Sequence, residues 1–168
     1  MRIVERGSVV TISDRPRALW AFGLWFVAGG LVALAMLFVA DNRDDLTTLE
    51  KLGVAGIGLA TLAAGAWVIR THRSTLTVVD RVSGAGTHEI RAPFATAARQ
   101  RFLLIETRRV EVVRSKDGDG DPMFQLRLWL ADSRWLDLQA QPVHGEQRVL
   151  RDAARITELL GLASPSRR

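Results

Sequence analysis

ALWAFGLWFVAGGLVALAMLFVA, residues 18–40, and LGVAGIGLATLAAGAWVI, residues 52–69, decide how this chain is built. Neither stretch contains a charged residue. A helix needs roughly 20 apolar residues to cross a hydrocarbon core about 30 Å thick. The first stretch exceeds that length and the second just reaches it. The sequence therefore predicts a membrane α-hairpin, with transmembrane helices over 17–40 and 52–70 and a short acidic external loop over 41–51. A water-soluble half follows. The N-terminal stretch 1–16 reads as a β hairpin, because Ile3 and Val4, then Val9, Val10 and Ile12, flank Gly7-Ser8. A charged β-like stretch before the first span, with no convincing A-x-A cleavage site, predicts that the span is retained rather than removed as a signal peptide.

The chain has 168 residues, and about 100 of them follow Arg70, enough for one small domain with its own core. There is no cysteine, which excludes disulfides, thiol catalysis and cysteine metal sites. Lysine and arginine number 23 against 18 acidic residues, and only Lys51 and Lys116 are lysine. Such a balance suits nucleic acid, anionic lipid or an acidic partner. Its placement favours membrane topology over nucleic acid. Arg2, Arg6, Arg15 and Arg17 precede the first span, and Arg70 and Arg73 follow the second. The connection holds only Arg43 and Lys51 against Asp41, Asp44, Asp45 and Glu50. Basic flanks stay in the cytoplasm, so both termini are expected there, in the bacterial inner membrane. Trp20 and Trp67 fall at the same expected leaflet, where an indole keeps its ring in lipid and its N–H wet.

Small residues recur four apart at Gly56, Ala60 and Ala64, and at Gly29 and Ala33. Such stripes let helix backbones approach closely. They serve either the hairpin's own packing or the helix of another protein. Thr61 is the one hydroxyl within the spans and can bond its own helix backbone. The spans hold no histidine. His72, at the interface, is the sole nearby imidazole, and no cofactor is expected.

After Arg73 the pattern turns to period two. Strands are expected at 74–80, 87–91, 101–105, 110–115, 123–130 and 134–139, with a turn over 81–86 and a hairpin connection at Asp132-Ser133. In 123–130, Phe124, Leu126, Leu128 and Leu130 form the core face, and Leu136 and Leu138 continue it. The N-terminal hairpin can join this sheet. An amphipathic helix is expected over 146–160, its apolar face Val149, Ala153, Ile156 and Leu160, ended by Gly161. That face most simply covers the open sheet.

Antiparallel strands closed by one C-terminal helix and carried on a two-helix anchor resemble the bacterial membrane proteins with pleckstrin-homology-like (PH-like) domains. The residues closest to that pattern run from Arg108 to Leu138: RRVEVVRS, an acidic turn, FQLRLWLADSR, then WLDL. The resemblance implies a PH-like domain over 73–161, followed by a tail at 162–168, acting as a binding or assembly module rather than a catalyst. It departs from that pattern between its first two strands. There Arg81 is the only basic residue from Ser74 to Thr87, which speaks against phosphoinositide-type recognition.

Residues 117–122, DGDGDP, imitate the start of a calcium loop. An EF-hand needs glycine sixth and glutamate twelfth, whereas Pro122 and Leu128 stand there. An acidic hairpin turn is expected instead. His72, His88 and His144 lack metal spacing. No nucleophile-elbow, phosphate-loop or dinucleotide pattern is present, so no enzyme is expected. Arg99, Arg101, Arg108, Arg109, Arg114 and Lys116 suggest either a solvated strand face or contact with anionic headgroups or an acidic partner. The apolar stretch 92–98, with Pro93 and Phe94, reads as a connection that meets membrane or another subunit.

These readings converge on a non-catalytic accessory or assembly subunit of a larger membrane complex, with respiratory or photosynthetic assemblies as natural hosts. Other integral membrane subunits and lipids would be its partners. The residues expected to meet them are Trp20, Trp25, Gly29, Ala33, Gly56, Ala60, Ala64, Trp67 and Phe94, with Arg99, Arg101, Arg108 and Arg109. The competing reading is a stand-alone, membrane-anchored module that binds anionic lipid or a soluble ligand.

Overall fold

The computed structural model describes residues 1–39, 47–92, 95–162 and 166–167. The chain forms two compact units: residues 16–72, and residues 1–15 together with 73–168.

The first unit is a helical hairpin. Helix α1 runs Arg17–Val39 and α2 runs Thr48–Thr71. Both are long and apolar enough to cross a membrane. Helix α2 starts four residues before the uncharged stretch, inside what the sequence suggested was loop. Thr47 explains this: its hydroxyl accepts from the Glu50 N–H, while the Glu50 carboxylate accepts from the Thr47 N–H. This capping box satisfies two end donors that would otherwise be left over. Residues 41–46 of the expected loop lie outside the described residues.

The second unit contains two sheets and one helix. Strands β1 (Arg2–Arg6), β2 (Val9–Asp14), β3 (Ser74–Asp80), β4 (Ala85–Ala92) and β5 (Ala95–Leu103) form an antiparallel sheet in sequence order. A 3-10 turn, Leu104–Glu106, leads to the second sheet. That sheet has the order β8-β7-β6-β9, from β6 (Thr107–Lys116), β7 (Pro122–Leu130), β8 (Trp135–Asp137) and β9 (Ser166–Arg167). The N-terminal hairpin does join the sheet: β2 pairs with β3 from Val9↔Asp80 to Asp14↔Thr75.

Period-two burial dictates the core. From the first sheet Val10, Ile12, Val79 and Phe102 point inward; from the second, Val110, Val112, Phe124, Leu126, Leu128, Leu130, Leu136 and Leu138 do. Helix α3 (Glu146–Leu160) adds Val149, Ala153, Ile156 and Leu160 to the same cluster. Each such large side chain removed from water contributes about 1.5–3 kcal/mol. Gly161 ends α3 with φ at 65°, a left-handed conformation in which a β-carbon is strained.

Four expectations need correction. Residues 95–98 are strand rather than connection, because β5 pairs with β4 across Ile90↔Ala98, Arg91↔Thr96 and Ala92↔Ala95. The ladder overrides the weak strand propensity of alanine. The β4 ladder also stops at Ala85↔Leu103, so β5 ends there and residues 104–105 belong to the 3-10 turn rather than a strand. Strand β8 stops at Asp137, because Gln139 turns inward and its Oε1 accepts the Leu126 N–H at 3.0 Å. Finally, the tail contributes β9, which pairs in parallel with β6 at Glu111 and Val112.

Candidate functional site

Each unit presents its own candidate surface. In the hairpin, the helices run antiparallel and meet along four glycines. A β-carbon on Gly65 would lie 2.6 Å from the Gly23 carbonyl oxygen; one on Gly30 would lie 2.7 Å from that of Gly58. Only glycine permits this approach. Gly23 and Gly30, like Gly58 and Gly65, are seven apart, which keeps them on one seam. The Thr61 hydroxyl joins it, donating to its own helix at Ile57 O, 2.8 Å. Trp20 Nε1 donates to His72 O at 2.9 Å across the hairpin end, and the His72 ring in turn sits 2.6 Å from Val68 O. His72 is thereby occupied as a helix cap.

The small-residue stripes read from the sequence do not form this seam. Gly29, Gly56, Ala60 and Ala64 are exposed on the hairpin, and Ala33 is half-buried. No atom lies within 4 Å of a β-carbon built on Gly29 or Gly56. The signal that would have found the seam is the seven-residue glycine spacing shared by both helices. The four-residue spacing masked it, because glycine and alanine are common throughout both spans. Trp25 and Trp67 also stand on the outside, 77% and 66% exposed. Phe94 lies outside the described residues.

In the β unit the basic residues do not form one patch. Arg99 and Arg101 lie on β5 in the first sheet, and Arg108 and Arg109 lie on β6 in the second. Strand pleating then separates neighbours: Arg108 is exposed, while Arg109 lies with its guanidinium 5.6 Å from the centre of the Trp129 ring. Arg99 pairs with Glu89 at 3.3 Å. The face of the second sheet opposite the core carries two cross-strand rows. One is Arg109, Trp129, Trp135; the other is Glu111, Arg127, Asp137. Arg127 bonds Asp137 at 2.9 Å and lies 5.4 Å from the Trp135 ring centre. Interleaved cations and indoles of this kind stabilise a sheet face, and this one is largely covered, with Glu111 only 1% exposed.

The 117–122 segment is the turn of the β6–β7 hairpin. Asp117 Oδ1 accepts the N–H groups of Asp119 and Asp121 at 3.0 and 2.8 Å, so this carboxylate organises its own loop. Buried in the core, His88 holds Nδ1 2.8 Å from Thr77 Oγ1. Desolvation pushes its pKa below the usual imidazole value, against a smaller opposing effect of the Asp137 charge. Comparison with protein-family models finds no match to this chain, and comparison with curated proteins finds none either.

Proposed function

We propose that the hairpin crosses a bacterial cytoplasmic membrane twice, with both chain ends in the cytoplasm, and that the chain is a non-catalytic accessory or assembly subunit of a larger membrane complex. Pairing between β2 and β3 supports the topology. These strands flank the hairpin on either side in sequence and share a continuous ladder. An even number of crossings is the arrangement that lets them meet, and the arginine flanks select the cytoplasmic side. The two packed sheets covered by α3 support a PH-like module, a fold that serves binding.

The observation that carries the subunit reading is the division of labour on the hairpin. Its own contact uses Gly23, Gly30, Gly58 and Gly65. Gly29, Gly56, Ala60 and Ala64 are left facing outward beside Trp25 and Trp67. Small residues facing lipid give up packing that a neighbouring helix would supply. Affinity purification of the tagged full-length chain in a mild detergent, followed by mass spectrometry, tests this. Stoichiometric recovery of integral membrane proteins is expected, and recovery of a lone monomer would count against it. A reporter fused after Arg168 should resist protease added outside intact cells.

A further inference from the structure

A cavity of about 80 Å³ opens at the start of α3, wholly within the β unit. Val143 and Val149 form its apolar wall. Its polar lining comes from Asp14 on β2, from Gln139 just after β8, and from Arg148 and Asp152 on α3. Gln139 is only 3% exposed, yet half of its amide is idle. Its Oε1 accepts the Leu126 N–H at 3.0 Å, which fixes the orientation of the amide, while its Nε2 donates to no described residue. A buried amide N–H without an acceptor is costly. With Oε1 committed to the sheet, the NH₂ group is what this side chain offers to the cavity.

The charges around the cavity divide into engaged and unengaged groups. Asp14 is engaged on both oxygens: Oδ2 accepts the Ala140 N–H at 2.9 Å, and Oδ1 lies 3.4 Å from Met1 N. His144, at the rim, has Nε2 3.7 Å from Asp117 Oδ2. Arg148 and Asp152 are not engaged. They stand four apart on α3, a spacing at which opposite charges pair. They nevertheless form no ion pair with each other or with any described residue. Gly145 caps this end of α3 and has no side chain to offer the first-turn N–H groups. The Arg148 end of the cavity therefore lacks a negative group, and the Asp152 end lacks a positive one.

We propose that this cavity binds a small α-amino acid as its zwitterion. The ligand carboxylate accepts from the Arg148 guanidinium and from Gln139 Nε2, and the ligand ammonium donates to the Asp152 carboxylate. Residues four apart on a helix have Cβ atoms about 5–6 Å apart, a gap that a molecule with both charges on one carbon bridges. A simple anion would meet Asp14 and Asp152 as well, and a simple cation would meet Arg148. Size limits the side chain. About 80 Å³ holds roughly five to eight waters, which leaves room for glycine or alanine and none for a branched side chain. Val143 and Val149 would face the alanine methyl group. So few ligand atoms give a dissociation constant of about 1 μM at best. The cavity belongs to the β unit alone, so the proposal stands whatever the outward face of the hairpin meets.

The test is equilibrium dialysis of the full-length chain in dodecyl maltoside against radiolabelled alanine and glycine, with acetate, methylammonium and leucine as competitors. The expected result is saturable binding of one alanine or glycine per chain, undisturbed by about a tenfold excess of any competitor. Arg148→Gln and Asp152→Asn should each weaken binding at least about tenfold, because each leaves one ligand charge without its partner. Gln139→Glu keeps an acceptor for the Leu126 N–H but turns an oxygen toward the ligand carboxylate, and should abolish binding. Arg155→Gln, on the exposed side of α3, should leave it unchanged. The proposal is overturned by no saturable binding of either amino acid, by displacement with that excess of any competitor, or by binding indifferent to Arg148→Gln or to Asp152→Asn. Thermal unfolding of each variant, unchanged from the parent, separates loss of binding from loss of fold, and the competitors decide on the parent chain even where a variant unfolds.

Discussion

Placing a methyl group on Gly65 sets it 2.6 Å from the Gly23 carbonyl oxygen and 2.9 Å from the Val27 backbone nitrogen. Both are backbone atoms, so no rotamer change relieves the clash and the helices must separate. Overpacking of this kind costs about 1–3 kcal/mol. The same methyl group on Gly56 meets nothing within 4 Å. Alanine is also the better helix former by about 1 kcal/mol, but that gain applies at both positions and cancels in their difference. Gly65→Ala should therefore be less stable than Gly56→Ala by about 1–3 kcal/mol, roughly fivefold to a hundredfold in the folding equilibrium. The assay is titration of the full chain in dodecyl maltoside with sodium dodecyl sulfate. Helix separation is followed through indole fluorescence, since Trp20 loses its bond to His72 O when the hairpin opens. Equal midpoints for the two variants, or a lower one for Gly56→Ala, would refute the glycine seam. Gly30→Ala and Gly29→Ala form a second such pair, with Gly58 O 2.7 Å away in the first and open space in the second.

His88 is neutral in the core, its pKa lowered chiefly by burial. Below about pH 6.5 the unfolded chain takes up a proton that the folded chain resists, so stability falls from there down to the depressed folded pKa and then levels off. Subtracting the pH profile of His88→Leu should isolate that decline, and a flat difference would show that His88 does not cause it. Leu128→Ala, at a fully buried site, should cost about 2–5 kcal/mol in denaturant titration, and a cost under about 1 would mean that the core collapses to fill the gap. Gly86→Ala drives a methyl group into the Phe102 ring and should lose about 1–3 kcal/mol, while Thr87→Ala next to it should lose much less. Gly161→Ala should lower stability by about 1 kcal/mol through its left-handed backbone, without moving the buried face of α3.

The parts of this fold legible in the sequence are those governed by one strong period. Strand β3 and helix α3 have the bounds that their patterns indicate, the strand through its run of threonine and valine and the helix through its one apolar face. Strand β7 was readable for the same reason. What the sequence concealed depends on partners distant in the chain. Ala95–Ala98 carries no strand signal of its own and is held by β4. Ser166–Arg167 becomes a strand only because the β6 edge receives it. The helix seam stays open in the sequence because small residues are spread around both spans, and only the facing helix determines which of them touch. The basic residues looked like one cluster along the chain, yet pleating and the passage from one sheet to the other divide them.

The ladder between β2 and β3 imposes an order on biogenesis. Residues 9–14 are made first, but their hydrogen-bonding neighbours, residues 74–80, leave the ribosome only after both apolar helices have been synthesised. Until then Val9, Val10 and Ile12 have no neighbouring strand on that edge. Closing so long a loop is slow for an unaided chain. Here the helical hairpin brings the loop ends together before the ladder zips. The nascent β unit is therefore most vulnerable to proteases and aggregation between emergence of the first helix and completion of the second, and any stall at that stage leaves the leading strands unprotected.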